Sequence, residues 1–116
     1  MIYTSNFATC MNTEGAVSIA GAAPQGFRGR QYRKLAPKLE FFKKYKEDGD
    51  TEHYVKCYQA QVLDTLNAQR VWQELNDPLG DVFLLCYEKP GEFCHRRLVA
   101  QWFELNLGIV VPEYKT

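Results

Sequence analysis

The hydrophobic positions are most regular in the last third of the chain. Residues 82–87 form a continuous apolar run, which is typical of a strand buried on both faces of a parallel sheet. Residues 94–107 return to helical spacing, and the short apolar run at residues 109–111 predicts a final strand. A strand, a helix and a strand in this order predict a right-handed parallel crossover with the helix packed on the sheet.

The first third predicts two more strands. Residues 2–7 are short and partly alternating, and residues 16–20 are mostly apolar, so each predicts a strand. Glycine and proline recur through residues 21–38, which predicts a long loop. Loops of that length are uncommon and often functional.

The middle of the chain predicts helices. A short helix is predicted at residues 38–46, a second begins after Asp50, and a third occupies residues 68–75 after Asn67. Asp and Asn commonly cap helix N-termini. The complete pattern predicts a single α/β domain over residues 1–116. Its expected architecture is a small three-layer α/β/α fold with a mostly parallel sheet of about four strands.

Composition narrows the class of protein. The chain has 116 residues, 46% of them hydrophobic, which is enough for one core without disulfides or metals. Its 14 basic and 14 acidic side chains cancel, so the overall charge does not indicate nucleic-acid binding. The first residues lack the pattern of a signal peptide, and no apolar run is long enough to cross a membrane. We therefore expect a cytoplasmic protein with no membrane partner.

The four cysteines are expected to be reduced thiols, since no export signal is visible. Their spacing contains no CxxC pair, so no structural zinc knuckle is predicted. The chain also lacks phosphate-loop and dinucleotide fingerprints, the zinc-deaminase pattern, and an arginine six residues after either Cys86 or Cys94, as phosphatase loops require. We therefore expect no cofactor and no metal.

A functional site is predicted in the turn that connects the strand ending at Cys86 to the helix starting at Cys94. Ligands of parallel sheets bind beyond the carboxyl ends of the strands, and a helix N-terminus attracts anions. The helix end and the neighbouring arginines favour a Cys94 thiolate, so we predict Cys94 as the nucleophile and Arg96 as an anion clamp. His95 or Glu88 would move protons.

The same residues allow other interpretations. Cysteine in an apolar strand is more often part of the core than a catalyst, and the arginines could be surface charges. Cys86 could also approach Cys94 and form a redox-active disulfide. A zinc site is disfavoured because an adjacent Cys and His rarely both reach one metal. Its ligands would be Cys86, Glu88, Cys94 and His95.

Zero net charge conceals a basic segment. Residues 28–46 contain eight basic side chains and one acid, with aromatic residues between them. This combination suits a phosphate-bearing ligand, since cations bind phosphates and rings stack on bases. The candidate anion-binding residues of the loop are Arg28, Arg30 and Arg33. Because the loop follows the second strand, we expect these residues to share one crevice with the Cys94 turn.

Two alternatives apply to the basic segment. Its lysines could pair with the acids at residues 47–52 while the aromatic rings fill the core. The aromatic-rich residues 27–45 could instead dock a partner protein. Exposure of Phe41, Phe42 or Tyr45 would favour docking, and full burial of all three would oppose it.

Residues 84–88 and 94–98, with the pattern Cys-Tyr-Glu followed by Cys-His-Arg, resemble the signature of the uncharacterised DUF488 family. Residues 23–27 and 35–37 are similar to the proline-containing segment of that family. The family has no agreed biochemical activity, so the resemblance implies a fold and the position of a site at Cys94, His95 and Arg96.

The leading hypothesis is an enzyme-like Cys-His-Arg anion site. Its substrate would be a nucleotide, a nucleic-acid end or another phosphorylated small molecule. The alternative is a non-catalytic module that binds nucleic acid or a partner protein, in which the loop arginines matter more than Cys94.

Overall fold

Four parallel strands form one sheet in the computed structural model, which describes residues 1–115. They are β1 (Ile2–Asn6), β2 (Ala16–Ser18), β3 (Arg30–Gln31) and β4 (Val82–Cys86), in the order β1-β4-β2-β3. β4 pairs with both β1 and β2 and is buried along its length, as its apolar run predicts. The predicted small α/β domain with a parallel sheet of about four strands is confirmed.

The helices are α1 (Phe7–Cys10), α2 (Leu39–Asp48), α3 (Thr51–Gln61), α4 (Ala68–Leu75) and α5 (His95–Leu107). The side chain of Asp50 accepts a hydrogen bond from the backbone of His53, and that of Asn67 accepts one from Arg70. Both predicted caps are therefore confirmed, because a cap needs only a local side chain and an exposed backbone N–H.

The predicted final strand at residues 109–111 is wrong. α5 ends at Leu107, and the φ of 67° at the following Gly108 turns the chain out of the helix. The following residues pass the free edge of β1, where one isolated bridge joins Thr4 to Glu113. Val111 is buried in the core, whereas Val110 is exposed, so only part of this apolar run is buried, in an irregular segment.

The fourth strand is instead β3, inside the predicted loop. Its two residues are exposed and polar, so they carry no apolar pattern. Backbone pairing alone places them beside β2, and the amide of Tyr32 continues the contact by donating to the carbonyl of Ser18 at 2.8 Å.

The two faces of the sheet are covered unequally. On β4, Val82 and Leu84 belong to the main core that includes residues of α2, α3, α4 and α5. Phe83 and Leu85 belong to a smaller cluster with α1. Successive strand side chains alternate between faces. Cys86 therefore points to the side of the longer helices, where α5 begins.

Candidate functional site

A cavity of about 590 Å³ lies beyond the carboxyl ends of β2 and β4. This is the edge at which parallel α/β sheets bind ligands, and the volume is in the range of small-molecule sites. The walls are mostly apolar and come from the segment after β2, from α2 and its approach, and from the turn after β4. The lining residues are Ala20, Gly21, Ala22, Pro37, Leu39, Phe42, Lys46, Cys86, Tyr87, Glu88 and His95.

Cys86 and Cys94 form a disulfide at one wall of this cavity. Cys86 is the last residue of β4, and Cys94 caps α5 in an extended backbone conformation. The approach of Cys86 to Cys94 is thus confirmed, whereas the expectation that all four cysteines are reduced is wrong in this structure. Cys10 and Cys57 are free. Cys86 lines the cavity, and Cys94 lies buried behind it.

His95 is held in one orientation. Its Nε2 lies 2.8 Å from the carbonyl oxygen of Ile19, which follows β2. Because a carbonyl oxygen only accepts, Nε2 carries the proton, and the neutral ring keeps a lone pair on Nδ1. Nδ1 lies 3.8 Å from the Sγ of Cys94. Burial lowers the pKa of His95 to about 4, so the ring is neutral near pH 7.

Arg96 is buried at 1% exposure, and its donors are used inside the protein. Nε and Nη2 bind the carboxylate of Glu113, with Nη2 2.7 Å from Oε2. Nη1 donates to the Sγ of Cys86 at 3.0 Å and to the carbonyl of Glu88 at 2.9 Å. In this arrangement Arg96 does not face the cavity as a ligand clamp. It positions the turn after β4 and places positive charge beside the sulfur of Cys86.

Glu113 and the side chains around it were not predicted from the sequence. Thr4 donates to Glu113 at 2.6 Å, and Arg97 donates to Thr4 at 2.8 Å and to the carbonyl of Val111 at 3.1 Å. Burial raises the pKa of Glu113, but the hydrogen bonds from Arg96 and Thr4 outweigh it, so the pKa lies below its ordinary value. A single acid after a helix carries no local signal of such a role.

The basic loop residues do not gather at the cavity as expected. Arg28 and Arg30 line a separate depression at the opposite, amino-terminal end of β2. Since β3 runs parallel to β2, the residues before it must lie at that end. Arg33 follows β3 and reaches the carbonyl of Gly21 at the cavity wall, at 3.4 Å. The expectation of one shared crevice is therefore wrong for Arg28 and Arg30.

Two charged residues do line the cavity, Glu88 and Lys46. Glu88 was a predicted proton carrier, and the structure places it on the turn between the two cysteines. Lys46 extends over the ring of Phe42, 5.2 Å from its centre. It belongs to the predicted basic segment, although it was not singled out as an anion-binding residue.

The aromatic residues of α2 give a mixed result for the docking alternative. Phe41 is buried, whereas Phe42 and Tyr45 are partly buried. Tyr45 packs against Tyr54 and Phe93, which attaches α2 to α3 and to the turn before α5. Of these three rings, Phe42 lines the cavity, whereas Phe41 and Tyr45 pack α2 against Tyr54 of α3.

Three side chains at the cavity could hold a metal ion. The donor atoms of Cys86, Cys94 and His95 all lie within 4.8 Å of one another. The expected obstacle, that adjacent Cys and His rarely converge, does not apply here. Cys94 is extended while His95 opens the helix, so the two side chains approach the same point. While the disulfide is intact, the sulfurs are not available as thiolate ligands.

The fold and the site define a small α/β protein with a paired-cysteine centre at the carboxyl ends of its strands. A family model described as the Active DUF488-N3 subclade matches residues 11–107, so the chain belongs to the DUF488 family. The match includes both cysteines of the pair but neither Thr4 nor Glu113. No curated protein and no solved structure matches the chain. Among residues 1–115, no helix has the length and apolar character needed to cross a membrane.

Proposed function

We propose that this protein is a cysteine-dependent enzyme acting on a phosphorylated small molecule of nucleotide size. Cys94 is the nucleophile, His95 its proton acceptor, and Glu88 a second proton carrier at the cavity wall. The observation that carries the proposal is the chain of contacts from Ile19 through His95 to Cys94. A nucleophile, a base within reach and a third group that orients the base are the features of an activated thiol site.

The chemistry begins from the reduced pair. The Cys94 thiol gives its proton to Nδ1 of His95, and the sulfur bonds to an electrophilic atom of the substrate. The leaving group departs with its bonding electrons and takes the proton from His95. The N-terminal end of α5 favours the thiolate over the thiol, because its free N–H groups carry partial positive charge.

The cavity supports the choice of substrate. Phe42 and the apolar walls offer a surface for a planar ring, and Lys46 offers a cation for a phosphate. Arg33 is exposed and donates to the carbonyl of Gly21, a residue that lines the cavity. We assign Arg28 and Arg30 no role in this site, because they lie at the other end of the sheet.

Alkylation of the reduced protein tests the nucleophile. Peptide mapping across pH should show Cys94 modified with an apparent pKa below about 8.5, the value of a free thiol. Cys94→Ser should abolish this fast reaction, and Cys57→Ser, a change on α3, should leave it intact. If Cys86 is modified first and Cys94→Ser changes nothing, the assignment of Cys94 is wrong.

Nucleotides test the substrate class. Unfolding temperatures of the reduced protein should rise with nucleoside phosphates and not with the corresponding nucleosides. Lys46→Gln should remove most of this difference, and Lys43→Gln, an exposed neighbour on the same helix, should preserve it. Equal shifts for nucleosides and nucleotides would contradict a phosphate subsite.

A further inference from the structure

We propose that the reduced protein binds one Zn²⁺ ion through the Sγ atoms of Cys86 and Cys94 and the Nδ1 atom of His95. These donor atoms lie within 4.8 Å of one another, and all three residues are buried. Two thiolates and an imidazole are donors that zinc prefers, and three protein ligands leave one position open.

The spacing suits a tetrahedral ion. With Zn–S bonds of about 2.3 Å and Zn–N bonds of about 2.0 Å, a sulfur and a nitrogen on one tetrahedral zinc lie roughly 3.5 Å apart. Cys94 Sγ and His95 Nδ1 are 3.8 Å apart. The Cα atoms of Cys86 and Cys94 are 7.4 Å apart. Disulfides usually span about 4.4–6.8 Å between Cα atoms. Two Zn–S bonds bridge a wider gap than one S–S bond, so the backbone needs little movement.

The surrounding hydrogen bonds also suit a metal site. Histidine ligands usually donate their other N–H to a carbonyl or carboxylate, which fixes the ring and the tautomer. His95 does this through Nε2 to Ile19. Arg96 donates to the sulfur of Cys86, and Glu113 balances the charge of Arg96. The site therefore has its outer partners in place.

The charge of the ligands and the access from the cavity also favour a zinc site. Binding releases two thiol protons, and the two thiolates neutralise the two positive charges of zinc. Cys86 and His95 both line the cavity, so the fourth position faces it and can take a water molecule. While zinc is bound, the sulfur of Cys94 is a ligand and is not free to attack a substrate. Zinc is thus a reversible inhibitor of thiol chemistry at this site, and the disulfide form does not bind it.

Zinc binding shares residues with the proposed function but does not depend on catalysis, and only the inhibitory effect of zinc rests on that proposed function. Its test is a titration of the full chain with Co²⁺ under a phosphine reductant, followed by displacement with Zn²⁺. One equivalent of Co²⁺ should produce tetrahedral ligand-field bands and thiolate charge-transfer absorption, and one equivalent of Zn²⁺ should abolish them. The same protein kept as the disulfide should show neither signal, and this comparison needs no substitution.

Variants identify the ligands. Cys86→Ser and Cys94→Ser should each weaken zinc binding by more than the roughly 10–100-fold that loss of an outer hydrogen-bonding partner costs. His95→Gln should do the same. The matched control is the double variant His53→Gln, Cys57→Ser, which removes the other Cys–His pair, 3.4 Å apart on α3. This control should bind zinc like the unaltered chain.

Three results would overturn the proposal: no cobalt spectrum in the reduced protein, equal binding by the disulfide form, or loss of binding only in the α3 double variant. The proposed function fails separately, through the alkylation of Cys94 in zinc-free protein. A reactive Cys94 without zinc binding would refute the metal site alone. Zinc binding with an unreactive Cys94 would refute the nucleophile alone.

Discussion

Arg96 and Glu113 form a two-pronged ion pair in the interior, with Nη2 2.7 Å from Oε2 and Nε 3.0 Å from Oε1. The pair joins the start of α5 to the segment that follows the helix. Since Arg96 also donates to Cys86 and to the Glu88 carbonyl, the carboxylate of Glu113 holds the guanidinium that orients the turn between Cys86 and Cys94. A residue near the end of the chain thereby supports the paired-cysteine centre.

Glu113→Gln should destabilise the protein because it leaves the buried charge of Arg96 without a counter-ion. Removing one partner of a buried pair typically costs about 3–5 kcal/mol, and the 13% exposure of the Glu113 side chain places the expected loss near the lower end. Urea unfolding at neutral pH measures it. Asp48→Asn removes the partner of Lys44 in an exposed pair and should have no measurable effect. Equal effects of the two substitutions would contradict a buried pair.

The thiol count should distinguish the oxidised from the reduced protein. Alkylation in denaturant should label two cysteines in the air-oxidised chain, Cys10 and Cys57, and four after reduction. Mass spectrometry gives the number of labels, and peptide mapping gives their positions. Four labels in protein exposed to mild oxidant would show that Cys86 and Cys94 do not pair in solution.

The free energy of unfolding should decrease as the pH is lowered through a window set by His95. Its pKa is about 4 in the folded protein against an ordinary value of 6.5, so the unfolded chain binds the proton first as pH falls. Stability is therefore lost from about pH 6.5 down to about 4, and this contribution then levels off. The difference between the folded and the unfolded pKa of His95 corresponds to a loss on the order of 3 kcal/mol in the free energy of unfolding.

Urea unfolding of the oxidised protein between pH 7 and 4 measures this slope. His95→Gln should flatten the curve across that window. Glu113 adds a separate loss at more acidic pH, because its folded pKa lies below the ordinary 4.5 and its contribution disappears as pH falls through that lower value. Parallel curves for the two proteins would show that His95 does not titrate as its burial requires.

Local signals were enough to predict much of the fold. β4 and α5 follow from an apolar run and a helical stripe, and the caps at Asp50 and Asn67 follow from single side chains next to the helices they begin. β3 could not be predicted, because the exposed residues Arg30 and Gln31 have no pattern and pair with β2 through their backbone alone. The shared crevice of Arg28 and Arg30 with the cavity failed because it depended on how distant segments meet. The strand at residues 109–111 failed although its signal was local, because a short apolar run does not by itself provide a pairing partner.

The candidate site shows the same division. The turn between Cys86 and Cys94 was predictable because its residues are close in sequence. The group that orients His95 is the backbone carbonyl of Ile19. Every residue has a backbone carbonyl, so the sequence does not mark this one. Glu113 meets Thr4 across 109 positions of sequence, so neither side chain indicated the other. Both contacts depend on the completed sheet.

The ionisation of His95 should depend on the state of the cysteine pair. In the disulfide form, burial holds its pKa at about 4 and Cys94 carries no charge. Reduction can place a thiolate 3.8 Å from Nδ1, and an adjacent negative charge favours the protonated ring. The pKa of His95 should therefore rise on reduction, as measured by NMR titration of the ring protons in metal-free protein. If the pKa of His95 is the same in the oxidised and the reduced protein, the ring is not coupled electrostatically to Cys94, and its role as the base is refuted.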